Sequence, residues 1–456
     1  MGILNDVFYL LLVISILVVI HEFGHFMAAR LSGMRAEVFS VGMGPRLLGF
    51  NKITGFSFGK LAKDWDGQGH TDYRIALLPI GGYVKISGMI DESMDTEFIK
   101  QEPQPWEFRS KSTLQKAFVI SAGVIMNTLL AILFFGAIAL FSGKSLYQTT
   151  TIGYVENKTV AEKIGFQPGD KILTVNGTKV GDWDQFFQLL AVKDFGNTKY
   201  IKVFREGNQT TLKAEGAKIL KTIANQESFG IYPEGMKVVT MGVEPKQPAG
   251  KAGIQAGDTV IRINGKNIYS SSEFIALVKS HKQKPLFFEW ERKGKILSDS
   301  ITPNEQGIIG VQIIHLYTGK MKHEKYGLFE SAGIGVEETY HSVELFISSV
   351  IQIIKGNISI KQSIGGPVQI AKRATQSAEM GLSYFINFMA ILSITLAVIN
   401  ILPFPALDGG HLVFIIIEGI IRREVHPKVK IVFQQVGFAV LMLFMLYVIY
   451  NDFTRL

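Results

Sequence analysis

The chain opens on LNDVFYLLLVISILVVIHEFGHFMAAR, Leu4 to Arg30. Leu4 to Ile20 is almost entirely Leu, Ile, Val, Phe and Tyr. About 17 such residues make a helix roughly 25 Å long, close to the hydrocarbon thickness of a bilayer. The apolar run then meets His21, Glu22 and His25 within one turn. Each ionisable group at a bilayer centre costs about 2.5–3.5 kcal/mol on insertion scales, less near the interface. Such a cluster directly after a greasy run is poorly explained as core packing and points to chemistry. His21 and His25 are four residues apart, so a helix sets them on one face. Two imidazoles so placed can hold one zinc ion, and Glu22 stands beside them as a candidate general base.

The rest of the composition fits a membrane setting. The 456 residues are 47% hydrophobic, with a mean hydropathy of +0.23. The apolar residues cluster, so that Leu4–Met27, Leu114–Phe141, Leu382–Leu402 and Ile431–Tyr450 each read as a span. The expected fold class is a polytopic α-helical membrane protein with four transmembrane helices. The net charge is +8, and its placement is more informative than its size. Lys and Arg crowd the ends of Arg30–Lys116, and Arg422, Arg423, Lys428 and Lys430 precede the last span. The positive-inside rule makes both of these loops cytosolic. Both termini and Ser142–Gly381 then lie outside. Basicity therefore reads as membrane orientation, and nucleic acid is not an expected partner; the lipid bilayer is. There is no cysteine, so the outer segment folds without disulfides, which suits a bacterial envelope. The first span lacks a basic start and an A-x-A-like site and is too long for a cleavable signal.

Between the spans the chain is ordinary and polar. Residues 32–112 carry β-branched and aromatic runs at Glu37–Leu48, Ile53–Leu61 and Tyr73–Ile90. Val41-Gly42-Met43-Gly44-Pro45 is a tight turn, and Pro79 to Lys85 a hairpin or bulged strand. These predict a small cytosolic or membrane-reentrant β-sheet beside the histidine helix. Asp91–Gln104 is polar and acidic, and reads as mobile. In the second span, 113–142, Gly123 and Asn127 read as packing, and no chemistry is assigned to Asn127.

Residues 143–235 and 236–320 contain a repeat. Gly169-Asp170 and Asn176-Gly177 are echoed by Gly257-Asp258 and Asn264-Gly265, at a constant offset of 88. Each copy continues with a helix-like stretch (Trp183–Leu190, Ser272–Val278) and a strand (Tyr200–Arg205, Leu286–Arg292). The pattern resembles PDZ domains, which implies two β-rich domains that either take a peptide as an added strand or act as spacers and steric gates. In 321–380, Leu328–Lys355 reads as an amphipathic helix on the membrane surface or against the core, with Gly365-Gly366-Pro367 a turn into the third span. The remaining regions are 381–421, the third span with its polar end, and 430–451, the fourth.

The third span ends in Asn400-Ile401-Leu402-Pro403-Phe404-Pro405-Ala406-Leu407-Asp408-Gly409-Gly410-His411. Prolines end or kink the helix and glycines allow close backbone approach. Asp408 is the one acid between Glu379 and Glu418, in apolar surroundings, and needs a partner. A zinc ion held by two histidines needs a third protein ligand, leaving a position open for water. The first and third spans run in the same direction, so Asp408 and the histidines fall at similar depth. His411 reads as a supporting or interface residue. Asn400 either hydrogen-bonds an extended substrate or ties helices together.

These residues resemble the site-2 proteases, intramembrane zinc metalloproteases, and within them the bacterial RseP (regulator of sigma-E protease) group. His21 to His25 matches the first motif of that family, and Asn400 to Gly410 its N-x-x-P-x-P-x-L-D-G motif, Pro405 included. The resemblance implies His21, His25 and Asp408 as Zn2+ ligands and Glu22 as the catalytic residue. Gly42 and Gly44 stand in what the group has as a membrane-reentrant turn, and Tyr83 in a strand implied to touch substrate. The implied activity is cleavage, within the bacterial inner membrane, of single-span proteins such as a pre-trimmed anti-sigma factor, and of remnant signal peptides. The competing class is a PDZ-bearing membrane scaffold or sensor with a structural or vestigial metal site. Glu22 argues against it, since a structural site needs no unliganded base beside its ligands.

Overall fold

The structure is a computed structural model describing residues 3–61, 67–89, 102–194, 196–224, 227–358 and 365–454. Among these, four helices are long and apolar enough to cross a membrane. The chain divides into two compact units, 1–143 with 325–347 and 360–456, and 144–324 with 348–359.

The first unit begins with helix α1, Ile3–Leu31, which buries Val13, Leu17 and the two histidines. A sheet follows, made of β1 (Ala36–Asn51), β2 (Gly55–Phe58) and β3 (Asp72–Ile86). β1 and β3 are each folded in half. Residues 36–41 lie between 82–86 on one side and 72–75 on the other, and 46–50 pair with 73–76 and then β2. The folds in β1 and β3 need backbone that L side chains avoid, which Gly42 (φ +87°), Gly44 (φ +90°) and Gly81 (φ +75°) supply. The consequence for function is that 82–86 is paired on one side only among the described residues.

Helix α2, Thr113–Ser142, starts with a capping box of Ser112 and Gln115 and ends at Gly143 in a positive-φ conformation. It packs closely on α1 because Gly24 has no side chain: a Cβ there would stand 2.4 Å from the Ala122 carbonyl oxygen. Close backbone approach of this kind is how helices associate where lipid removes the hydrophobic drive. Helix α3, Leu328–Ile354, belongs to the first unit up to Ile347 and to the second from Ser348. Its Ser331–Gly335–Thr339 stripe is buried, and a Cβ on Gly335 would meet the Ile132 carbonyl of α2 at 2.4 Å. Of the two expected placements for this helix, its first half adopts the packed one.

The turn expected at Gly365–Pro367 does not lead directly into the third span. Pro367 instead begins α4, Pro367–Met380, whose N-terminal amides at Gly366, Val368 and Gln369 are taken up by the buried Asp452 carboxylate. Proline at a first helical position is favourable, because the N–H it lacks is one that a helix start leaves unpaired. The third span, α5, is Leu382–Ile401; after a break come α6, Asp408–Ile421, and α7, Pro427–Phe453. The polar stretch Asp91–Gln104 lies almost entirely outside the described residues.

The second unit contains two cores. One is built by Ile172, Phe186, Ile201, Val203 and Ile231, the other by Val260, Ile263, Phe274, Phe288 and Trp290. Strands 171–175, 199–205 and 208–214 form the first sheet with 178–179. Strands 295–301, 286–292, 259–263, 236–243 and 311–317 form the second in that order. The repeated motifs have repeated jobs. Asp170 binds Arg205 and the Gln167 amide, and Asp258 binds Arg292 and the Gln255 amide. Asn176 and Asn264 sit at φ +47° and +49°, and each accepts a strand amide, from Tyr200 and Phe287. The helix expected over Trp183–Leu190 is Trp183–Phe187 followed by a wider turn at Gln188–Val192.

Candidate metal centre

α1 sets His21 and His25 on the side facing α2, where they are 8% and 9% exposed. Space for two imidazoles against a neighbouring helix exists because α2 has Gly123 there. A Cβ on Gly123 would lie 2.5 Å from His25 Nε2 and 2.6 Å from His21 Nε2. His25 Nδ1 lies 2.8 Å from the Val119 carbonyl oxygen. A carbonyl only accepts, so neutral His25 keeps its proton on Nδ1 and presents a lone pair at Nε2.

Asp408 arrives from the break between α5 and α6. Ala406 adopts φ +70°, and the chain folds back tightly enough that a Cβ on Gly409 would meet the Leu402 carbonyl oxygen at 2.1 Å. This return puts Asp408 Oδ2 3.1 Å from His21 Nε2 and 3.4 Å from His25 Nε2, while the two Nε2 atoms are 3.1 Å apart. Tetrahedral zinc with Zn–N bonds of about 2.0–2.1 Å holds its ligand atoms roughly 3.3 Å apart. The three donors therefore have the mutual spacing of a zinc ligand set. In the tautomer with both imidazole protons on Nδ1, the two Nε2 lone pairs face the buried Asp408 Oδ2, which has no other hydrogen-bond donor. That arrangement favours a cation among the three atoms. Among the described residues this is the group of His and acidic side chains whose ligand atoms converge, lying within 4.8 Å.

The centre opens on a cavity of about 1440 Å³. Glu22, Asn400, Gly44, Tyr83 and the 81–86 backbone share its wall with the three converging residues. Gly82 lets β3 approach β1 closely beside Glu22, a Cβ there being 2.7 Å from the Ser40 carbonyl oxygen and in ordinary contact, 3.5 Å, with Glu22 Cγ. Asn400 Nδ2 stands 3.4 Å from His21 Nε2. The Tyr83 hydroxyl accepts from Arg74 at 3.4 Å. Gly42 and Pro405 are not among the residues that line the cavity. Gly42 lies against the Leu78 carbonyl, and Pro405 against Gly437 of α7. His411 is an interface residue as well as a wall residue: its Nε2 is 2.7 Å from Gln434 Nε2, tying α6 to α7.

The model of peptidase family M50 matches residues 9–444. The chain belongs to peptidase family M50, the site-2 proteases. Regulator of sigma-E protease RseP of Escherichia coli (strain K12) is 30% identical over 467 residues, covering 99% of each chain. Protease RseP of Yersinia pestis is 30% identical over 479 residues with both chains fully covered. A Pasteurella multocida (strain Pm70) protein named as a candidate zinc metalloprotease is 33% identical over 466 residues, covering 98% of each. Two solved PDZ domains of SdrC-like proteins, from Listeria monocytogenes and Listeria innocua, are 25% and 26% identical, each with a TM-score of 0.16. They cover 17% and 19% of this chain and 87% and 99% of their own. Membership in family M50 makes the protein a membrane zinc metalloprotease. A scaffold with a vestigial site is thereby set aside.

Two residues of the centre were missed as chemistry in the sequence: Gly123, which makes room for the imidazoles, and Asn127, which touches His21 at 3.3 Å. A signal was available. Both lie on one face of the second span, four residues apart, and one of them is polar in an otherwise apolar helix.

Proposed function

We propose that the protein hydrolyses peptide bonds within the membrane-spanning segments of single-span proteins, with His21, His25 and Asp408 holding zinc and Glu22 as general base. The observation that carries this is the convergence of the three donor atoms, at 3.1–3.4 Å, in the wall of a cavity that also holds Glu22. Bound zinc supplies a Lewis acid that brings the pKa of a water toward about 7. Glu22 accepts the proton of the attacking water and returns it to the leaving amine. Asn400 offers its amide to the substrate backbone. A helical substrate hides its carbonyls in its own hydrogen bonds and must unwind to be cut. The one-sided 82–86 strand, with Tyr83 in the cavity wall, can pair with the unwound segment and replace those bonds.

The substrates proposed are an anti-sigma factor already trimmed outside the membrane, in line with the sigma-E role in the name of the Escherichia coli relative, and remnant signal peptides. The location proposed is the bacterial inner membrane. Both termini and the PDZ-like domains at 143–235 and 236–320 are periplasmic, and the metal centre lies toward the cytosolic side. The charge asymmetry around the spans supports that orientation.

The test is cleavage of a model transmembrane substrate in membranes. Glu22→Gln is expected to lose about 10²–10⁴ in rate while keeping zinc, and Asp408→Asn to lose zinc and activity together. Cleavage by Glu22→Gln at the parent rate sinks the mechanism.

A further inference from the structure

We infer that Asn127 is a positioning residue for His21, with its side-chain oxygen accepting the hydrogen bond of the His21 Nδ1–H, and that one stripe of α2 thereby orients both imidazoles. The inference rests on His21 being a metal ligand. A ring that gives Nε2 to a cation carries its proton on Nδ1, and that proton needs an acceptor. His25 has one in the Val119 carbonyl oxygen at 2.8 Å. His21 Nδ1 has Asn127, whose Nδ2 is placed 3.3 Å away while Oδ1 is left buried without a partner. With the proton on Nδ1, that placement sets two donors against each other. Amide nitrogen and oxygen are nearly the same size, and the hydrogen-bond network decides between them. Turning the amide over gives the imidazole proton an acceptor and gives the orphaned oxygen a donor.

The surroundings hold this group in place. Asn127 is fully buried, and its backbone carbonyl accepts from Ser393 Oγ of α5 at 2.8 Å. Val119, Gly123 and Asn127 succeed one another at four-residue intervals, on one face of α2. The first supplies the acceptor for His25, the second the space for both rings, and the third the acceptor for His21. A residue that only glued helices together would make no demand on which end of its amide meets the ring.

The experiment measures zinc affinity of the full chain in detergent by competition with a chelator, with the d–d absorption of the cobalt-loaded protein as a second readout of ligand geometry. Asn127→Asp keeps the acceptor and removes the donor; Asn127→Leu keeps the size and removes both. Asn127→Asp is expected to hold zinc within about threefold of the parent, and Asn127→Leu to weaken it about 10- to 100-fold and alter the cobalt spectrum. Parent-like zinc affinity and cobalt spectrum in a folded Asn127→Leu overturn the inference. If Asn127→Leu does not fold, Asn127→Asp decides alone: retained zinc supports the inference and lost zinc overturns it. His21→Ala separates the two levels, because parent-like zinc binding there removes the ligand assignment itself.

Discussion

A metal centre between membrane helices is limited first by room. His21 and His25 occupy volume that any side chain at position 123 would fill. Gly123→Ala puts a methyl group within 2.5 Å of His25 Nε2, so either the rings turn or α2 moves away from α1. The expected outcome is loss of zinc with the protein still in the membrane, read by metal analysis of the purified chain. Gly24→Ala strikes the α1–α2 contact from the other side and makes a natural comparison. Zinc retained in Gly123→Ala at the parent level would show that the helices yield more readily than close packing allows. These two glycines, with Gly409 and Gly410 in the return after Asp408, are glycines that the packing around His21, His25 and Asp408 requires.

Secondary elements carry the site by how they end and fold back. α5 stops at Ile401, and the return to α6 delivers Asp408; β3 folds at Gly81, and the return leaves 82–86 at an edge. A second kind of joint lies in the periplasmic unit proposed above, where the 231–233 and 311–317 strands meet. Tyr232 and His315 rings are 4.9 Å apart, Tyr154 and Tyr269 are stacked at 4.8 Å, and the Ser271 amide, opening helix 271–280, donates to His315 Nε2 at 3.1 Å. Glu156 accepts from Tyr232 and Ser270 on the same side. Burial holds the His315 pKa below its ordinary 6.5 against the opposing pull of Glu156. Protonation turns the Nε2 acceptor into a donor facing the Ser271 N–H. The sign follows: with the folded pKa lowered, the contribution is complete above 6.5 and is lost as pH falls below it toward the folded value. Hydrogen exchange at the Ser271 amide is expected to speed up beyond its intrinsic pH dependence as the pH falls below 6.5. His315→Gln, which keeps an acceptor that does not titrate, should flatten that response. An equal response in both proteins would assign the change elsewhere.

Taken as one object, the molecule has the converging His21, His25 and Asp408 in one compact unit and its repeated β-modules in another. The proposal that the modules act as a size filter makes a direct prediction. On that proposal the intact enzyme rejects substrates that still carry their outer domains, and deleting 153–316 permits their cleavage. Unchanged discrimination after the deletion would assign selectivity to the membrane unit. The chain has no cysteine, so a single cysteine placed at 215 reports orientation without ambiguity. Labelling by an impermeant maleimide from the outside is the expected result.

The four spans, the paired histidines beside Glu22 and the module repeat were legible in sequence because each is a local pattern. Span length answers to bilayer thickness, i,i+4 spacing to helical pitch, and Gly-Asp and Asn-Gly turns to backbone conformation. Depth was partly legible too, since charge asymmetry set Asp408 on the same side as His21. α4 was not, because Pro367 can either stop a helix or start one, and the buried Asp452 carboxylate that caps it lies more than 80 residues away. Nor was the second role of the second span. That Val119, Gly123 and Asn127 face the imidazoles depends on how α2 is rotated against α1. An apolar helix looks alike from every side in sequence, and only close packing between backbones decides which of its faces meets the metal centre.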